Sequence, residues 1–248
     1  MKKFIITLII LVGCCISASA STVGVICYHS VSHNPLKLSP YCISTEEFEA
    51  DLEYFSNQGY SFLKPCEMWY AEGDKNIVIT SDDGYEDFYT NVFPLLKKYN
   101  AKAAVYVISS LIDKSYYLKS WQIKEMHDSG LVEIGNHTHI IHRRDKSVLE
   151  KWYNDDVMFN EALYDINRCS QKIEQITGKP TESIAYPYGL YTKKLNDTVR
   201  NTMGYTTSFS TEFGIVKSSN DYLSPLKRVY RVLGDTPQKI ENLINICR

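Results

Sequence analysis

Apolar positions along the chain alternate between short continuous runs and stretches with helical spacing. The continuous runs are typical of buried strands, and they occupy residues 23–28, 60–63, 77–80, 101–108, 131–135, 184–186 and 205–209. Helical spacing, or the residues that start and stop helices, marks residues 65–70, 91–99, 121–129, 161–177, 193–202 and 237–246. A further helix is predicted to begin at Ser44. The pattern therefore predicts strands and helices in alternation.

The helix at Ser44 illustrates how local residues set the boundaries of an element. Ser44 and Glu47 form a capping-box pattern, in which each side chain can bind the backbone N–H of the other residue. The apolar face that follows comprises Phe48, Leu52 and Phe55. Gly59 is a natural end for this helix.

The order of the elements predicts the architecture. Strands that alternate with helices across short connections favour a parallel sheet wrapped by helices. Short strands in a steady repeat suit a barrel better than a flat open sheet. No low-complexity linker or internal repeat interrupts the pattern. We therefore predict an α/β fold, a (β/α) barrel, in one domain over residues 21–248.

The first twenty residues have the features of an export signal. Lys2 and Lys3 give a positive end, and residues 4–12 are mostly apolar but far shorter than the ~20 residues of a membrane span. Two processing routes stay open. The small residues 18–20, Ala-Ser-Ala, suit cleavage of a signal peptide spanning 1–20. Residues 11–14, Leu-Val-Gly-Cys, resemble a bacterial lipobox, which would leave a leader of 1–13 and a lipid on Cys14. Either route predicts an exported protein that is secreted, periplasmic or lipid-anchored at the cell envelope.

Charge and cysteine usage narrow the function classes. The formal net charge is −2, so no basic excess argues for a nucleic-acid partner. The cysteines beyond the leader lie far apart and match no zinc-ribbon or C-x-x-C spacing; they are Cys27, Cys42, Cys66, Cys169 and Cys247. We expect Cys27 to be a small core residue. The 19 tyrosines suit either sugar-binding surfaces or ordinary half-buried strands.

Polar and ionisable residues follow several of the predicted strands. In chain order they are His29, then Asp82 and Asp83, then His137, His139 and His142, and finally Tyr188. Because the carboxyl ends of barrel strands meet at one rim, we expect these residues to lie close together.

Asp82 and Asp83 stand side by side directly before Gly84. Adjacent carboxylates repel each other and lose hydration when covered, so a metal, a basic side chain or solvent must compensate them. One aspartate with two histidines suits a divalent transition metal that keeps open positions for water. We predict that Asp83 binds the metal and that Asp82 stays free as a base.

Several motifs resemble those of a known family. The segments "TSDDGY" (80–85), "HTHIIH" (137–142) and "AYPYG" (185–189) resemble the motifs of polysaccharide deacetylases, the NodB-homology or carbohydrate esterase family 4 type. The opening "ICYHSV" (26–31) and the tail "SPLKRVYRV" (224–232) are similar to the poly-β-1,6-N-acetylglucosamine deacetylases of bacterial biofilm systems. The resemblance spans nearly all of the chain after the leader, and it implies the distorted (β/α) barrel of that family.

The resemblance also implies a role for each candidate residue. The implied base is Asp82, the implied metal ligands are Asp83, His137 and His142, the implied acid is His29, and the backbone at Tyr188 would hold the oxyanion. The implied cofactor is one divalent transition metal, zinc first, with nickel, cobalt or iron(II) as alternatives. The implied reaction removes acetyl groups from an extracellular polymer of N-acetylglucosamine.

This chain departs from the family pattern at the second and third motifs. His137 and His142 are five residues apart, where most of the family has four and the biofilm subgroup has the longer spacing. A His137/His139 pair stays open, because residues two apart share one face of an extended segment. Ala185 stands where many members carry the arginine that orients the base, so nothing in the sequence accounts for the support of Asp82.

Two other function classes remain open at this point. A glycoside hydrolase could pair Asp82 with Glu86 or Glu133, and it would need no metal. A lipid-anchored carbohydrate-binding protein could hold glycan with its tyrosines and carry out no chemistry. Metal content and acetate release discriminate among the three classes.

Overall fold

The computed structural model describes residues 21–34, 39–217 and 224–247. The predicted leader, with its cleavage site and Cys14, lies outside the described residues. The strands in chain order are β1 (Val23–Tyr28), β2 (Ser30–Ser32), β3 (Cys42–Ser44), β4 (Ser61–Leu63), β5 (Asn76–Ser81), β6 (Ala103–Val107), β7 (Val132–Asn136), β8 (Ser183–Ala185), β9 (Thr207–Phe209) and β10 (Val229–Tyr230).

Helices occupy most of the connections between these strands. They are α1 (Thr45–Asn57), α2 (Phe93–Tyr99), α3 (Ser120–Asp128), α4 (Lys146–Asn154), α5 (Asp156–Thr177), α6 (Lys193–Met203) and α7 (Pro237–Cys247). Short 3₁₀ helices span Pro65–Tyr70, Ile141–Arg143 and Pro187–Gly189, and a π-helical turn spans Phe88–Val92. No helix in the described ranges has both the length and the apolar character that crossing a membrane requires.

The main sheet is entirely parallel. Its strand order is β10-β1-β5-β6-β7-β8-β9, and β4 pairs with the first half of β5. A small second sheet joins β2 to β3. Parallel strands with helical crossovers are the arrangement that the alternation predicts, so the α/β barrel prediction is confirmed.

The segment before β10 bridges the two ends of the sheet. Leu226 forms a parallel bridge with Phe209 at the end of β9, and Val229 pairs with Ile26 of β1. The residues between these pairs therefore cross from one edge of the sheet to the other. Among the described residues, β9 and β10 at these two edges do not pair directly with each other. This crossing brings the side chain of Arg228 into the barrel, where it is fully buried.

Local residues explain where the predicted helix boundaries were right and wrong. The capping box at Ser44 and Glu47 is present, with N···O distances of 2.9 and 3.0 Å. The helix predicted at 161–177 begins earlier, at Asp156, because the carboxylate of Asp155 accepts hydrogen bonds from the N–H groups of the first turn. The sequence pattern did not predict α4.

The barrel interior is filled by side chains that alternate with outward-facing ones along each strand. Tyr106 is buried at the centre, with its ring 5.7 Å from that of Phe209 in an edge-to-face arrangement. Its hydroxyl donates to Ser183 Oγ at 3.1 Å. Gly135 on β7 makes room for this ring, because a Cβ there would lie 2.2 Å from Tyr106 Cε1.

Gly135→Ala is therefore expected to destabilise the fold. A buried aromatic ring between strands cannot move aside, and overpacking of this kind costs about 3 kcal/mol. Urea unfolding measures the loss. The matched control is Gly24→Ala, whose new Cβ would meet a single aliphatic side chain, with Cδ1, Cγ1 and Cγ2 of Ile244 at 2.7, 3.1 and 3.2 Å, so its cost should be smaller, about 1 kcal/mol. Equal losses in the two variants would contradict this account of Gly135.

Candidate active site

The two adjacent aspartates diverge at the carboxyl end of β5. Asp82 continues the strand, and its N–H donates to the carbonyl of Tyr28 at 3.0 Å. Asp83 and Gly84 have φ values of 75° and 71°, in the left-handed region. A non-glycine residue in this region costs about 1–2 kcal/mol, so the turn is maintained by its surroundings. As a result the two carboxylates point to different partners.

Asp82 is paired with a buried arginine. Its two carboxylate oxygens each accept a hydrogen bond of 2.8 Å from Arg228, and Arg228 Nε donates to the carbonyl of Ser210 at 3.0 Å. Burial alone would raise the pKa of Asp82, but Arg228, and to a lesser degree His137, hold that pKa well below its ordinary value. Asp82 is therefore an ionised, fixed acceptor at neutral pH.

Arg228 is the functional residue that the sequence did not assign. It supplies the basic partner of Asp82 that Ala185 cannot provide, and it lies 146 residues after Asp82 in the chain. The sequence signal for it was the pattern Leu226-x-Arg228-Val229 within the tail segment that resembles the biofilm subgroup.

Asp83 faces two histidines. Its Oδ1 lies 3.5 Å from His137 Nε2 and 3.3 Å from His142 Nε2, and the three ligand atoms lie within 4.8 Å of one another. Within the described part of the chain, this Oδ1 is buried and accepts no hydrogen bond. A carboxylate and two imidazoles that surround an unsatisfied oxygen fit a divalent transition metal.

The backbone orients His137 toward this group. His137 follows Glu133 and Gly135 on the inward face of β7, and its Nδ1 lies 2.7 Å from the carbonyl oxygen of Ala185. A carbonyl can only accept, so Nδ1 carries a proton and Nε2 is the ring nitrogen that faces Asp83 and is placed to bind a cation. This is the arrangement that metal-binding histidines use.

The second imidazole is positioned by its own loop. His142 lies in the 3₁₀ turn after β7, and the carboxylate of Asp165 on α5 accepts hydrogen bonds from the N–H groups of His139 and Ile140 at 2.7 and 3.0 Å. Burial and the neighbouring His137 lower the pKa of His142 to about 4, so its ring is neutral and able to bind a cation at neutral pH.

Tyr188 covers one side of the histidine pair. Its ring stacks on His142 with centroids 5.1 Å apart, and its hydroxyl donates to the carbonyl of His142 at 3.1 Å. Its backbone is left-handed, with φ 55° and ψ 14°. The next residue must be glycine, because a Cβ on Gly189 would lie 2.1 Å from Thr211 Oγ1.

His29 lies on the other side, next to Asp82. Ligand atoms of Cys27, His29 and Asp82 lie within 4.8 Å of one another, and the thiol of Cys27 is 3.7 Å from Asp82 Oδ2. Burial lowers the pKa of His29, and its Nδ1 is buried with no hydrogen-bond partner among the described residues. The ring of Tyr41 packs 5.1 Å from that of His29.

Asp87 holds the backbone that follows His29. One carboxylate oxygen accepts from Ser30 Oγ at 2.5 Å and from the N–H of Val31 at 3.1 Å. Burial raises the pKa of Asp87 to about 6 despite these hydrogen bonds. The folded protein therefore holds a proton here at a pH where the unfolded chain has released it.

The sign of this shift predicts how Asp87→Asn changes stability with pH. The contribution of Asp87 to wild-type stability falls as pH rises from about 4 to about 6, because the folded carboxyl resists ionisation. Asparagine keeps an acceptor oxygen but has no proton to lose. Relative to wild type, the variant should therefore gain about 2 kcal/mol between pH 4 and pH 7, as measured by urea unfolding at each pH. A stability difference that stays constant across this range would contradict the prediction.

Comparisons with known proteins identify the family. The sequence profile of the polysaccharide deacetylase family matches residues 70–208, more than half of the chain. This chain belongs to the polysaccharide deacetylase family. The match includes Asp82, Asp83 and both histidines that face Asp83, so the family predicted from the motifs is confirmed.

Two relatives and one solved structure show how similar this chain is to individual members of the family. YxkH of Bacillus subtilis (strain 168) is 30% identical over 197 residues, which are 77% of this chain and 64% of YxkH. The poly-β-1,6-N-acetyl-D-glucosamine N-deacetylase of Staphylococcus aureus (strain MSSA476) is 27% identical over 202 residues, 76% of this chain and 68% of the relative. The structure of IcaB from Ammonifex degensii superposes with a TM-score of 0.78 at 26% identity, covering 90% of this chain and 96% of IcaB. The chain thus spans just under two thirds of the length of YxkH.

The remaining histidine of the deacetylase motif points elsewhere. Thr138 has a φ of 72°, which interrupts the extended backbone between His137 and His139. The Nδ1 of His139 lies 2.8 Å from Ser109 Oγ, away from Asp83. The alternation that would have placed His137 and His139 on one face is therefore broken at Thr138.

The carboxylates considered for a glycoside hydrolase do not form a pair with Asp82 in this deacetylase fold. Glu133 accepts hydrogen bonds from Ser183 Oγ and the N–H of Cys66, at the amino end of the strands. Glu86 accepts from Gln122 and lies 3.5 Å from Lys119 Nζ.

The cysteines of the described residues are all free thiols.

Proposed function

We propose that this protein removes N-acetyl groups from an extracellular polymer of N-acetylglucosamine, in a metal-dependent hydrolysis that releases acetate. The observation that carries the proposal is the divergence of the two aspartates. Asp82 is fixed on Arg228 as an acceptor, while Asp83 faces His137 and His142. A general base next to three metal ligands is the arrangement that metal-assisted hydrolysis of an amide requires.

Asp83, His137 and His142 would hold one divalent transition metal. We propose zinc, with nickel, cobalt or iron(II) as alternatives for the same ligand set. When bound, such a cation polarises an acyl oxygen and lowers the pKa of water.

The protein's own groups would supply the proton transfers. Asp82 accepts the proton of the attacking water, and its ionised state makes it available over the working pH range. The backbone N–H at Tyr188 stabilises the negative charge that develops on the acyl oxygen. His29, on the opposite side, delivers a proton to the amine as the C–N bond breaks. Because burial lowers the pKa of its ring, His29 first takes up that proton, and Asp82, which accepts a proton from the water, is its neighbour.

His29→Ala should lower kcat for acetate release by about 10²-fold or more, because an unprotonated amine is a poor leaving group. Metal content should stay at that of the wild type, since His29 is not in the group formed with Asp83. The matched control is His33→Ala, an exposed histidine four residues later, which should retain wild-type turnover. If His29→Ala is as fast as wild type, the acid assignment is wrong.

Aromatic residues beside the site support a glycan substrate. Tyr41 packs beside His29 and Tyr188 stacks on His142, and the two side chains are 43% and 45% exposed. Partly exposed rings with a hydroxyl group suit the apolar faces and hydroxyls of a sugar. The Staphylococcus aureus relative is named for action on poly-β-1,6-N-acetyl-D-glucosamine, which favours a polymer of this type.

The cellular setting belongs to the same proposal. A deacetylase domain over residues 21–248 would follow an export segment, either a signal peptide of 1–20 or a leader of 1–13 with a lipid on Cys14. The enzyme would then meet its polymer outside the cytoplasm, secreted or at the cell envelope. Free amines would give the polymer positive charge and help it bind anionic surfaces.

Acetate release from poly-N-acetylglucosamine oligomers, with and without a chelator, tests the proposal. We expect release by the metal-loaded protein, loss with chelator and recovery when metal is restored. Cleavage of the glycan chain that survives the chelator would favour a glycoside hydrolase. Binding of the oligomers without acetate release, by protein that contains its metal, would favour a carbohydrate-binding protein.

A further inference from the structure

A second cleft lies beside the loop that carries the candidate metal ligands. It has a volume of about 500 Å³ and lies between the segment after β6, the loop after β7 and helix α5. The residues that matter for its chemistry are Ser110, Lys114, His139, Arg168 and Lys172.

The lining of this cleft is cationic. Lys114, Arg168 and Lys172 all line it, and in the described ranges no aspartate or glutamate does. Two carboxylates on the adjoining segments keep their negative charges and offset part of this positive charge, but their oxygens are occupied by neutral donors. Asp165 accepts from the N–H groups of His139 and Ile140, and Asp113 accepts from the N–H and hydroxyl of Ser120. The three cationic side chains therefore line the cleft directly, whereas the nearby carboxylates do not.

The helix that forms one wall keeps two like charges together. Arg168 and Lys172 are four residues apart on α5, so they lie on the same face and repel each other. Neither forms a salt bridge with a carboxylate of the described chain, whereas other exposed lysines, such as Lys124 with Asp128, have an acidic partner at this spacing. The guanidinium carbon of Arg168 instead lies 6.0 Å from the centroid of the Tyr164 ring, a cation–π contact.

The cleft is attached to the loop that carries the candidate metal ligands. The hydroxyl of Ser110 is enclosed beneath the cleft and, among the described residues, has no hydrogen-bond partner. The backbone N–H groups of Ser109 and Ser110 donate to the carbonyls of Thr138 and His139 at 3.1 and 3.3 Å. These bonds attach the floor of the cleft to the loop between His137 and His142, so the cleft adjoins the candidate active site.

We propose that this cleft binds an anionic substituent, a carboxylate or phosphate, on a neighbouring sugar of the glycan whose acetamido group lies at the metal centre. A guanidinium and two ammonium groups supply the donors that such an oxyanion accepts. The glycan part of this inference rests on the proposed function, and it extends the substrate class to an acidic polymer.

Calorimetric binding to the metal-free protein tests the cleft without any turnover. The probes are a neutral N-acetylglucosamine tetrasaccharide, a tetrasaccharide of the same length that carries the lactyl carboxylate of N-acetylmuramic acid, and inorganic phosphate. Wild type should bind the acidic sugar about tenfold more tightly than the neutral one, the effect expected for charge-assisted hydrogen bonds at a partly exposed site. The double variant Arg168→Gln/Lys172→Gln should lose this preference.

A matched control and a stability measurement keep the test interpretable. Lys179→Gln removes an exposed lysine that lines a different cleft, at the amino end of the strands, and should keep the preference. The double variant should unfold at about the same urea concentration as wild type, because relief of the repulsion between like charges offsets loss of the contact between Arg168 and the Tyr164 ring.

Equal binding of the acidic and neutral sugars by wild type would overturn the inference, and so would a preference that survives in the double variant. Inorganic phosphate that binds as tightly as the acidic sugar would also overturn it, because the cleft would then recognise a free anion. The proposed function fails separately. If the preference holds but no glycan releases acetate, the cleft stands and the deacetylase proposal falls. If the neutral oligomer is deacetylated but no preference exists, only the cleft inference falls.

Discussion

Asp82→Asn is expected to lower kcat for acetate release by about 10²–10⁴-fold, the contribution of a positioned general base. Asparagine can still accept one hydrogen bond from Arg228 but cannot take a proton from water. The metal group at Asp83 does not include Asp82, so metal content should be unchanged. Acetate release and metal analysis on the same purified sample measure both quantities.

The neighbouring substitution makes this result specific. Asp83→Asn removes a charged ligand from the group with His137 and His142, so metal content and activity should fall together. Asp82→Asn would then lower activity without loss of metal, whereas Asp83→Asn would lower both. Near wild-type acetate release by Asp82→Asn would show that another group is the base.

Arg228→Met is expected to produce the largest loss of stability. Arg228 is 0% exposed and its partner Asp82 is buried, so the variant leaves a carboxylate without its countercharge. Breaking a buried pair in this way costs about 3–5 kcal/mol. Turnover of the protein that remains folded should fall about 10²-fold, because the base loses its orientation. Urea unfolding and acetate release below the unfolding transition measure the two effects.

The pH dependence of this loss has a definite sign. Arg228 depresses the folded pKa of Asp82, so the pair stabilises the fold at pH values above the unfolded pKa of about 4. That stabilisation disappears as the pH falls through the folded pKa. The stability difference between wild type and Arg228→Met should therefore be largest near neutral pH and shrink in acid.

A second buried arginine provides the control for Arg228. Arg231 Nε donates to Asp51 Oδ2 at 2.7 Å, and Arg231 is 1% exposed. Asp51 is also bound by the hydroxyl of Tyr28 rather than by any residue assigned to catalysis. Arg231→Met should destabilise the fold by a similar amount yet keep turnover in the folded protein. Loss of turnover in both variants would show that Arg228 acts only through stability.

The adjacent aspartates show why local patterns predicted part of the site and not the rest. The pair itself, after a buried strand and before a glycine, was enough to predict a metal ligand beside a base. Whether a carboxylate faces Arg228 or the histidines depends on the left-handed backbone at Asp83, because this turn points the side chains of Asp82 and Asp83 in different directions. The periodicity of a strand contains no information about that turn.

The histidines show the same division. Their spacing after β7 predicted that they lie at the rim, but it allowed His137 to pair with either His139 or His142. The left-handed Thr138 and the two N–H groups bound by Asp165 turn His139 toward Ser109 and bring His142 to Asp83. Contacts from α5 thus select between options that the spacing leaves equal.

The sequence by itself determined the alternation of strands and helices and the family, and the resemblance to that family predicted the candidate base, acid and metal ligands. It did so because apolar periodicity, capping residues and short motifs are local properties of the chain. Only the tertiary structure decided that Arg228 holds Asp82, since their contact forms when the segment before β10 crosses the open edge of the barrel. Only the tertiary structure also revealed the cationic cleft, because its walls come from segments that no local pattern brings together.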